Sequence, residues 1–538
     1  MDAEPVIYDG NVNGAQVTTG NANDAVIILF LSEFKVDRDK DGNVCGEAKS
    51  SDYISSHRIY RGRQTFEAPI QFLIDQAIAD GKTLTKIISI VTERVRTEVI
   101  KAKYPSVDLE LMGEKITQYD LFQHRVKGYF TARQLPIPEF VRVDYVSSAI
   151  TAAANVFSKD DVARARDIYQ QIAAELLKPD KREYVYLDYS GGLRDTSFLM
   201  ISIIKYLEVM DINLKKIVYS EWKPSRIHEI DYLYDMFQII SGVNEFINTG
   251  NSRQLHAAFN SSPLTHKPEA EDLLKSIQDF SDTMSICDMG SIKPAMNSVI
   301  KNVNKILKSN ADDVLTAMLK TLSTDIKNRM HIGGRFSYMS LVLWCCENSL
   351  LQQAATIIEA VVPEEYLSKP YFWSLLPSNV SNTIHGWTNA EFNAKLDLKS
   401  YESKEAKEFY SLIPQLLLAC CNGGQPSSVP TGIEWTYRRK IESLECFERV
   451  LNNDQSLTRG HRLLLLYIAV KAMRNHINHA MKSYTDDEKA LLVYLNRVLR
   501  TDEEKSGNDS FEEVEITYKG ITILLNRTIE LWKELGWL

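Results

Sequence analysis

The first 225 residues alternate short apolar runs with segments that place apolar residues at helical spacing. Four runs have the length and composition of buried strands: AVIILFLS, KIISIVT, YVYLDYSGG and LKKIVYSEW. The intervening segments EAPIQFLIDQAIADGK, DDVARARDIYQQIAAELLK and TSFLMISIIKYLEVM have helical periodicity. Strands separated by helices predict a parallel sheet with helices on its faces, and therefore an α/β, Rossmann-like domain over residues 1–225.

Beyond about Lys223 the spacing of apolar residues is helical as far as the C-terminus, which predicts an all-α region. Its first segment, RIHEIDYLYDMFQIISGVNEFINTG, is long and amphipathic. The stretch CNGGQPSSVPTG (421–432) is rich in Gly, Pro and Ser and is typical of a loop. We therefore predict a helical linker region over 226–430, which can include the first helices of the last domain, and a C-terminal domain core over 431–538.

Length and charge narrow the class of protein. A chain of 538 residues is too long for one hydrophobic core, and its net charge of −9 requires any contact with nucleic acid to be local. The apolar runs VIILFL and LLLLYIAV are far shorter than the roughly 20 residues of a membrane span, so we expect no membrane association. The seven cysteines lack metal-binding spacing and indicate reduced thiols of a cytoplasmic protein.

The segment YLDYSGGLRDTSFLMISII reads as a strand, a turn of small residues and a helix. Glycines let backbone N–H groups approach a ligand, and a helix N-terminus attracts an anion. In an open parallel sheet, ligands bind beyond the carboxyl ends of the strands, where the other strands would contribute Ser32 and Thr92. We predict an anion-binding site formed by Ser32, Thr92, Ser190, Gly191, Gly192 and Arg194.

Two alternatives remain for this turn. It can be a plain structural connection between a strand and a helix. SGGLRDTS also resembles the SGGxDS loop of ATP pyrophosphatases, although Arg194 is inserted before Asp195 and the loop follows a late strand.

The sequence predicts no metal site. DRDKDGNVCGEA (37–48) is similar to a calcium-binding EF-hand loop, but Ala48 occupies the position of the bidentate Glu, and a strand precedes the loop. We interpret it as a solvated acidic loop.

KAMRNHINHA (471–480) places polar residues directly after the run LLLLYIAV. On a helix, Asn475 and His479 are neighbours on one face, whereas Arg474 and His479 lie roughly 140° apart. Three interpretations remain open: a metal pair of His476 and His479, groups with no chemistry, and RNA cleavage. For cleavage, a histidine moves protons and an arginine stabilises charge on the phosphate.

RNHINH matches R-x4-H with Asn after the Arg, which is the signature of HEPN ribonucleases. LDYSGGLRDTS resembles the ligand loop of CARF domains, the CRISPR-associated sensors of cyclic oligoadenylate. The order of sensor, helical region and RNHxxH is similar to that of the CARF–HEPN ribonucleases that act beside type III CRISPR complexes.

The resemblance implies a homodimeric, metal-independent endoribonuclease of CRISPR antiviral defence that needs no cofactor. Cyclic tetra- or hexa-adenylate would activate it at the predicted anion site, which the resemblance to CARF domains extends to Asp195 and Thr196. Two HEPN domains over 431–538 would pool their Arg474, Asn475 and His479 and leave 2′,3′-cyclic phosphate ends on single-stranded RNA.

We expect a functional link to a type III effector complex without stable binding. A local basic character is expected from Arg438, Arg439, Lys440, Arg459, Arg462 and Lys471. The alternatives are a CARF-type regulator without catalysis and an ATP pyrophosphatase built on the SGG loop.

Overall fold

A computed structural model describes residues 24–145, 184–191, 196–262, 267–385, 412–421, 437–478, 485–498 and 518–538. It also describes residues 168, 170–172, 174–175 and 409. Within the main ranges, positions 57, 108, 110–112, 114, 211, 222, 311, 334–335 and 370 lie outside the described residues. The chain divides into two compact units, Met1–Tyr234 and Asp235–Leu538. The predicted helix over 160–178 lies mostly outside the described residues.

The strands of the first unit are β1 (Asp24–Phe30), β2 (Val36–Arg38), β3 (Val44–Glu47), β4 (Ser51–Ile54), β5 (Ile59–Gly62), β6 (Thr83–Thr92), β7 (Glu139–Tyr145), β8 (Tyr184–Asp188), β9 (Asn213–Glu221) and β10 (Arg226–Glu229). Its helices are α1 (Glu67–Ala79), α2 (Glu93–Thr97), α3 (Ile100–Lys103), α4 (Gln118–Ala132) and α5 (Thr196–Val209). Eight strands form one sheet in the order β5-β4-β10-β9-β8-β1-β6-β7, while β2 and β3 form a separate hairpin.

The four predicted strands, β6, β1, β8 and β9, pair in parallel as expected. The sheet continues at β7, which the sequence analysis did not predict and which pairs in parallel with β6, so the core order is β7-β6-β1-β8-β9. In chain order these are the third, second, first, fourth and fifth core strands, the order of doubly wound folds. Residues of β1 face alternate sides: Leu29 packs in the cluster with α1 and α4, and Phe30 in the cluster with α5. Burial on both faces explains why the strand is a continuous apolar run.

The sequence prediction missed the sheet's edges. The sequence analysis assigned no strand to the segment that contains β5, and the long amphipathic segment that it placed in the helical region begins with β10. β10 pairs antiparallel with β9, and β4 pairs antiparallel with β5. Strands β4, β5 and β10 are only four residues long, too short to establish a periodicity that separates them from loops.

The second unit is helical in its described parts. Its helices are α6 (Asp231–Thr249, which starts before the division), α7 (Arg253–Ser261), α8 (Pro268–Ser285), α9 (Ile292–Lys308), α10 (Val314–Arg329), α11 (Tyr338–Glu347), α12 (Leu351–Ala360), α13 (Val362–Ser368), α14 (Ser378–His385), α15 (Ile413–Cys421), α16 (Tyr437–Val450), α17 (Gln455–Asn478), α18 (Asp486–Val498) and α19 (Tyr518–Glu534), with a 3₁₀ helix at Phe372–Leu375. An α/β region followed by a helical region is therefore confirmed.

Helix α17 lies at the centre of this unit, because every residue from Leu463 to Met473 is buried. Its neighbours come close: a Cβ added at Gly460 would lie 1.7 Å from the carbonyl oxygen of Leu375. A single hydrophobic cluster runs from Ile239 to Trp532, across the predicted division at 430. That division stays a prediction.

No helix among the described residues is long and apolar enough to cross a membrane.

A buried histidine connects α17 to α16 and α18. Nε2 of His461 lies 3.3 Å from the Tyr494 hydroxyl, which donates to Glu448 at 3.3 Å. Burial lowers the pKa of His461 from 6.5 to about 4, although the charge of Glu448 opposes the shift. The folded protein therefore holds this imidazole neutral at pH values where the unfolded chain protonates it.

This difference predicts a loss of stability in mild acid. Between pH 6.5 and pH 4 the unfolded state binds one more proton than the folded state, so the free energy of unfolding falls as the pH falls. The contribution of His461 is about 2 kcal/mol between pH 6.5 and pH 5. Urea unfolding at several pH values measures it, and His461→Gln should flatten that part of the curve. His124→Gln, at an exposed imidazole on α4, serves as the control.

Candidate functional site

The carboxyl ends of β1 and β8 meet at the point where the strand order reverses. Gly191 lies so close to β1 that an added Cβ would be 1.7 Å from the carbonyl oxygen of Phe30 and 3.3 Å from Oγ of Ser32. The structure thus brings together Ser32, Ser190 and Gly191, three of the predicted ligand-binding residues. Such a crevice is where doubly wound sheets bind ligands.

Asp188 and Ser220 organise this turn, and the sequence analysis missed both. Asp188 ends β8 with a side chain that accepts from the Ser190 N–H at 2.8 Å, and the Ser220 N–H donates to Oγ of Ser190 at 2.6 Å. Burial raises the pKa of Asp188 to about 7, against the lowering effect of the hydrogen bonds from Ser190. The sequence feature that could have identified Asp188 is a carboxyl group at the end of the apolar run YVYLD.

The other predicted residues of this site have different outcomes. Thr92 ends β6, at the same edge but on the far side of β1, where its hydroxyl caps α2 by accepting from the Val95 N–H at 3.3 Å. Helix α5 begins at Thr196, whose side chain is not among those described. Gly192, Arg194 and Asp195 lie outside the described residues.

The second candidate site lies at the end of α17. Glu359 of α12 is only 4% exposed, and Oε1 of its carboxylate lies 3.1 Å from Nζ of Lys471. Its Oε2 lies 3.0 Å from Nε of Arg474 in a charge contact that is not aligned as a hydrogen bond. The Arg474 side chain is 27% exposed, so it runs from the core to the surface.

Two further contacts define the surroundings of Arg474. Its Nη1 donates to Oδ1 of Asn475 at 3.3 Å. Burial raises the pKa of the Cys287 thiol, and the positive charge of Arg474 partly opposes that shift, so the turn between α8 and α9 lies near the guanidinium. The structure therefore brings together two of the three predicted catalytic residues, whereas His479 lies outside the described residues.

His476 points into the protein. It is 4% exposed, and its Nε2 lies 3.0 Å from Oε2 of Glu488. Thr485 donates to the same carboxylate from its N–H and its hydroxyl, and Oγ1 of Thr485 accepts from the Glu488 N–H, which is a helix-capping arrangement at the start of α18. Burial raises the pKa of Glu488, but these hydrogen bonds outweigh it and lower the pKa overall. His476 thus has a structural role in joining α17 to α18.

The expected basic surface is only partly present. Arg438 and Arg439 are exposed, but Lys440 and Lys471 are buried. The expectation that these two lysines contribute to an RNA-binding surface is wrong, because the spacing of charges does not reveal which lysines the tertiary packing covers.

The described residues contain no group of three His, Cys, Asp or Glu side chains arranged to hold a metal ion. The acidic loop at 37–48 forms the β2–β3 hairpin. There Asp39 accepts from the backbone N–H groups of Asp41 at 2.9 Å and Asn43 at 2.8 Å.

Part of the chain matches a known protein family. Residues 235–334 match a family model described as CRISPR-associated protein MJ1674, second domain. The match begins at the first residue of the second unit and includes the α8–α9 turn near Arg474. No curated protein matches the chain. The match covers less than a fifth of the residues and supports a CRISPR-associated protein.

Replacement of Gly191 by alanine tests the sheet-edge site. The added Cβ would meet buried backbone of β1, so the turn must move away from Ser32. We expect the affinity for cyclic tetra- or hexa-adenylate, measured by calorimetry, to fall about 100-fold or more, equivalent to about 3 kcal/mol.

Gly128→Ala is the matched control, because a Cβ there meets nothing within 4 Å. Urea unfolding of both variants separates loss of binding from loss of the fold. Wild-type affinity in a folded Gly191→Ala protein would mean that this turn has no part in ligand binding.

Proposed function

We propose that this CRISPR-associated protein is an endoribonuclease of the CARF–HEPN type, switched on by cyclic tetra- or hexa-adenylate. The observation that carries the proposal is the position of Arg474 in the RNHINH pattern. It is a partly exposed guanidinium that extends from a buried ion pair, with Asn475 hydrogen-bonded beside it. The match of residues 235–334 to a CRISPR-associated family supports the same biological setting.

In the proposed reaction the ribose 2′-oxygen attacks the adjacent phosphorus as the bond from phosphorus to the 5′-oxygen breaks. His479 transfers a proton at the 2′-hydroxyl or at the leaving oxygen, since an imidazole titrates near neutral pH. Arg474 stabilises the negative charge that develops on the phosphate, and Asn475 orients its neighbours. The products are a 2′,3′-cyclic phosphate and a 5′-hydroxyl, and the chemistry of these groups requires no metal.

The proposed activator site is the crevice of Ser32, Ser190 and Gly191. The close approach of Gly191 to β1 supports a ligand that contacts backbone, and the turn precedes α5, whose N-terminus attracts anions. The buried Ser220 hydroxyl has no hydrogen-bond partner in the described part of the chain, which suits a polar ligand at this edge.

A second candidate function is a nucleotide-sensing regulator without catalysis. It is favoured by the ion pair of Arg474 with Glu359 and by the burial of His476, because both give parts of the RNHINH pattern a structural purpose. The ATP pyrophosphatase alternative has less support, since the SGG turn follows the fourth core strand rather than the first.

RNA cleavage separates these functions. A labelled single-stranded RNA should be cut in the presence of cyclic tetra- or hexa-adenylate, with equal rates in EDTA and in Mg²⁺. Arg474→Ala should lower the rate at least about 100-fold, because it removes charge stabilisation in the transition state. A panel of ring sizes identifies the activator, and mass spectrometry of the products identifies their ends.

Arg329→Ala is the matched control, because it removes an exposed guanidinium that donates to Asn248 and is not one of the predicted basic residues. Cleavage that vanishes in EDTA and returns with Mn²⁺ would rule out the metal-free mechanism. A folded, ligand-binding protein that never cuts RNA would favour the regulator, and pyrophosphate release from ATP would favour the third alternative.

The composite site predicts partial rescue in mixed dimers. Arg474→Ala and His479→Ala proteins should each be inactive alone, and subunit exchange should restore part of the activity if both chains contribute to one site. Light scattering checks the oligomeric state. A stable monomer with wild-type turnover would contradict the homodimer.

A further inference from the structure

We infer that Glu359 is a positioning residue for Arg474: its buried carboxylate holds the guanidinium in the direction that phosphate contact requires. This inference rests on the proposed function. It deepens that function by assigning a residue on α12, more than a hundred positions before the RNHINH pattern, to the same site.

Glu359 is itself held rigidly. It lies one residue before the end of α12, and its carbonyl oxygen accepts a 3.0 Å hydrogen bond from the hydroxyl of Tyr467 in the centre of α17. The side chain is 4% exposed, so an ionised carboxylate there would be costly without a cationic partner. Burial and the Tyr467 contact together fix the carboxylate relative to α17.

The two cations that meet Glu359 differ in what else they can do. Lys471 and Arg474 lie three residues apart on α17 and therefore on one face of the helix. The Lys471 side chain is 5% exposed and ends inside the protein. The Arg474 side chain is 27% exposed, so it alone of the two connects the buried carboxylate to the surface.

The contact through Nε has a stereochemical consequence. A guanidinium is planar, so an anion beside Nε restricts the directions in which the Nη groups point. Nη1 of Arg474 lies 3.3 Å from Oδ1 of Asn475, the next residue of the proposed site. A free arginine loses rotamer freedom when it is ordered, and the ion pair removes part of that loss before RNA binds.

The test uses three variants of the full-length protein in the activated RNA cleavage assay. Glu359→Gln keeps the shape but removes the charge, and we expect kcat to fall about 100-fold while KM changes little, as for a misplaced catalytic group. Glu359→Asp keeps the charge and should recover part of kcat. Glu534→Gln removes an exposed carboxylate of α19 that pairs with Arg462 of α17. The kcat of this control should stay close to wild type.

A double variant separates positioning from charge balance. The wild-type cluster of Glu359, Lys471 and Arg474 has a formal charge of +1, and Glu359→Gln combined with Lys471→Met restores that value. If Glu359 serves only as a counter-ion for folding, this protein should recover both stability and kcat. If Glu359 positions Arg474, it should recover stability and keep the low kcat.

Two values of kcat would overturn the inference: a wild-type kcat in the folded double variant, or an unchanged kcat in Glu359→Gln. Cleavage by Glu359→Gln without activator would also overturn it, because Glu359 would then restrain Arg474 rather than position it. Urea unfolding of Glu359→Gln, Arg474→Ala and their combination measures the contact independently of RNA. Additive effects would contradict the contact itself. Coupled effects of the two substitutions would show that the ion pair is real. If the wild-type protein nevertheless cuts no RNA, the proposed function fails, and the positioning role fails with it.

Discussion

The burial of α17 on all sides is the constraint on which the helical unit depends. Its residues from Leu463 to Met473 are buried, and Lys471 is the one charged residue among them. Groups at that point need partners inside the protein, because burial without them is costly. Glu359 meets Lys471 and Arg474, and Glu488 meets His476. The polar end of the helix is therefore an organised part of the core as well as a candidate site.

This arrangement gives adjacent residues of one short pattern different roles. Arg474 and Asn475 remain partly exposed, whereas His476 is enclosed. The helix period places Arg474 and His476 on opposite sides, so one points toward α12 and the other toward α18. A cluster of imidazole and guanidinium groups in a sequence thus separates in space into a structural histidine and a candidate reactive arginine.

In the first unit, the reversal of strand order has a comparable effect. It leaves the ends of β1 and β8 side by side, and the small residues after them line the crevice. Gly191 is required there because the carbonyl of Phe30 occupies the space of a side chain. The family match covers only residues 235–334 and includes neither Phe30 nor Gly191. It therefore supports the CRISPR association and gives no information on the ligand.

The sequence alone determined the features that depend on the apolar pattern within a single helix or strand. The continuous apolar run of β1 predicted a buried strand, and the helical spacing of apolar residues after Lys223 predicted a helical region. The short strands β4, β5 and β10 were missed because four residues establish no reliable period.

Only the tertiary structure decided which side chain meets which. The pattern of apolar residues states that a face is covered, but it does not name the partner that covers it. Glu359 lies far from Arg474 along the chain, and Lys471 reads as a surface charge until the packing of α12 against α17 encloses it. Asp188 likewise became a buried group that supports the Ser190 turn only when β1 and β9 closed around β8. Long-range packing sets the burial of a charge, and burial decides whether that charge stabilises the fold or remains available for chemistry.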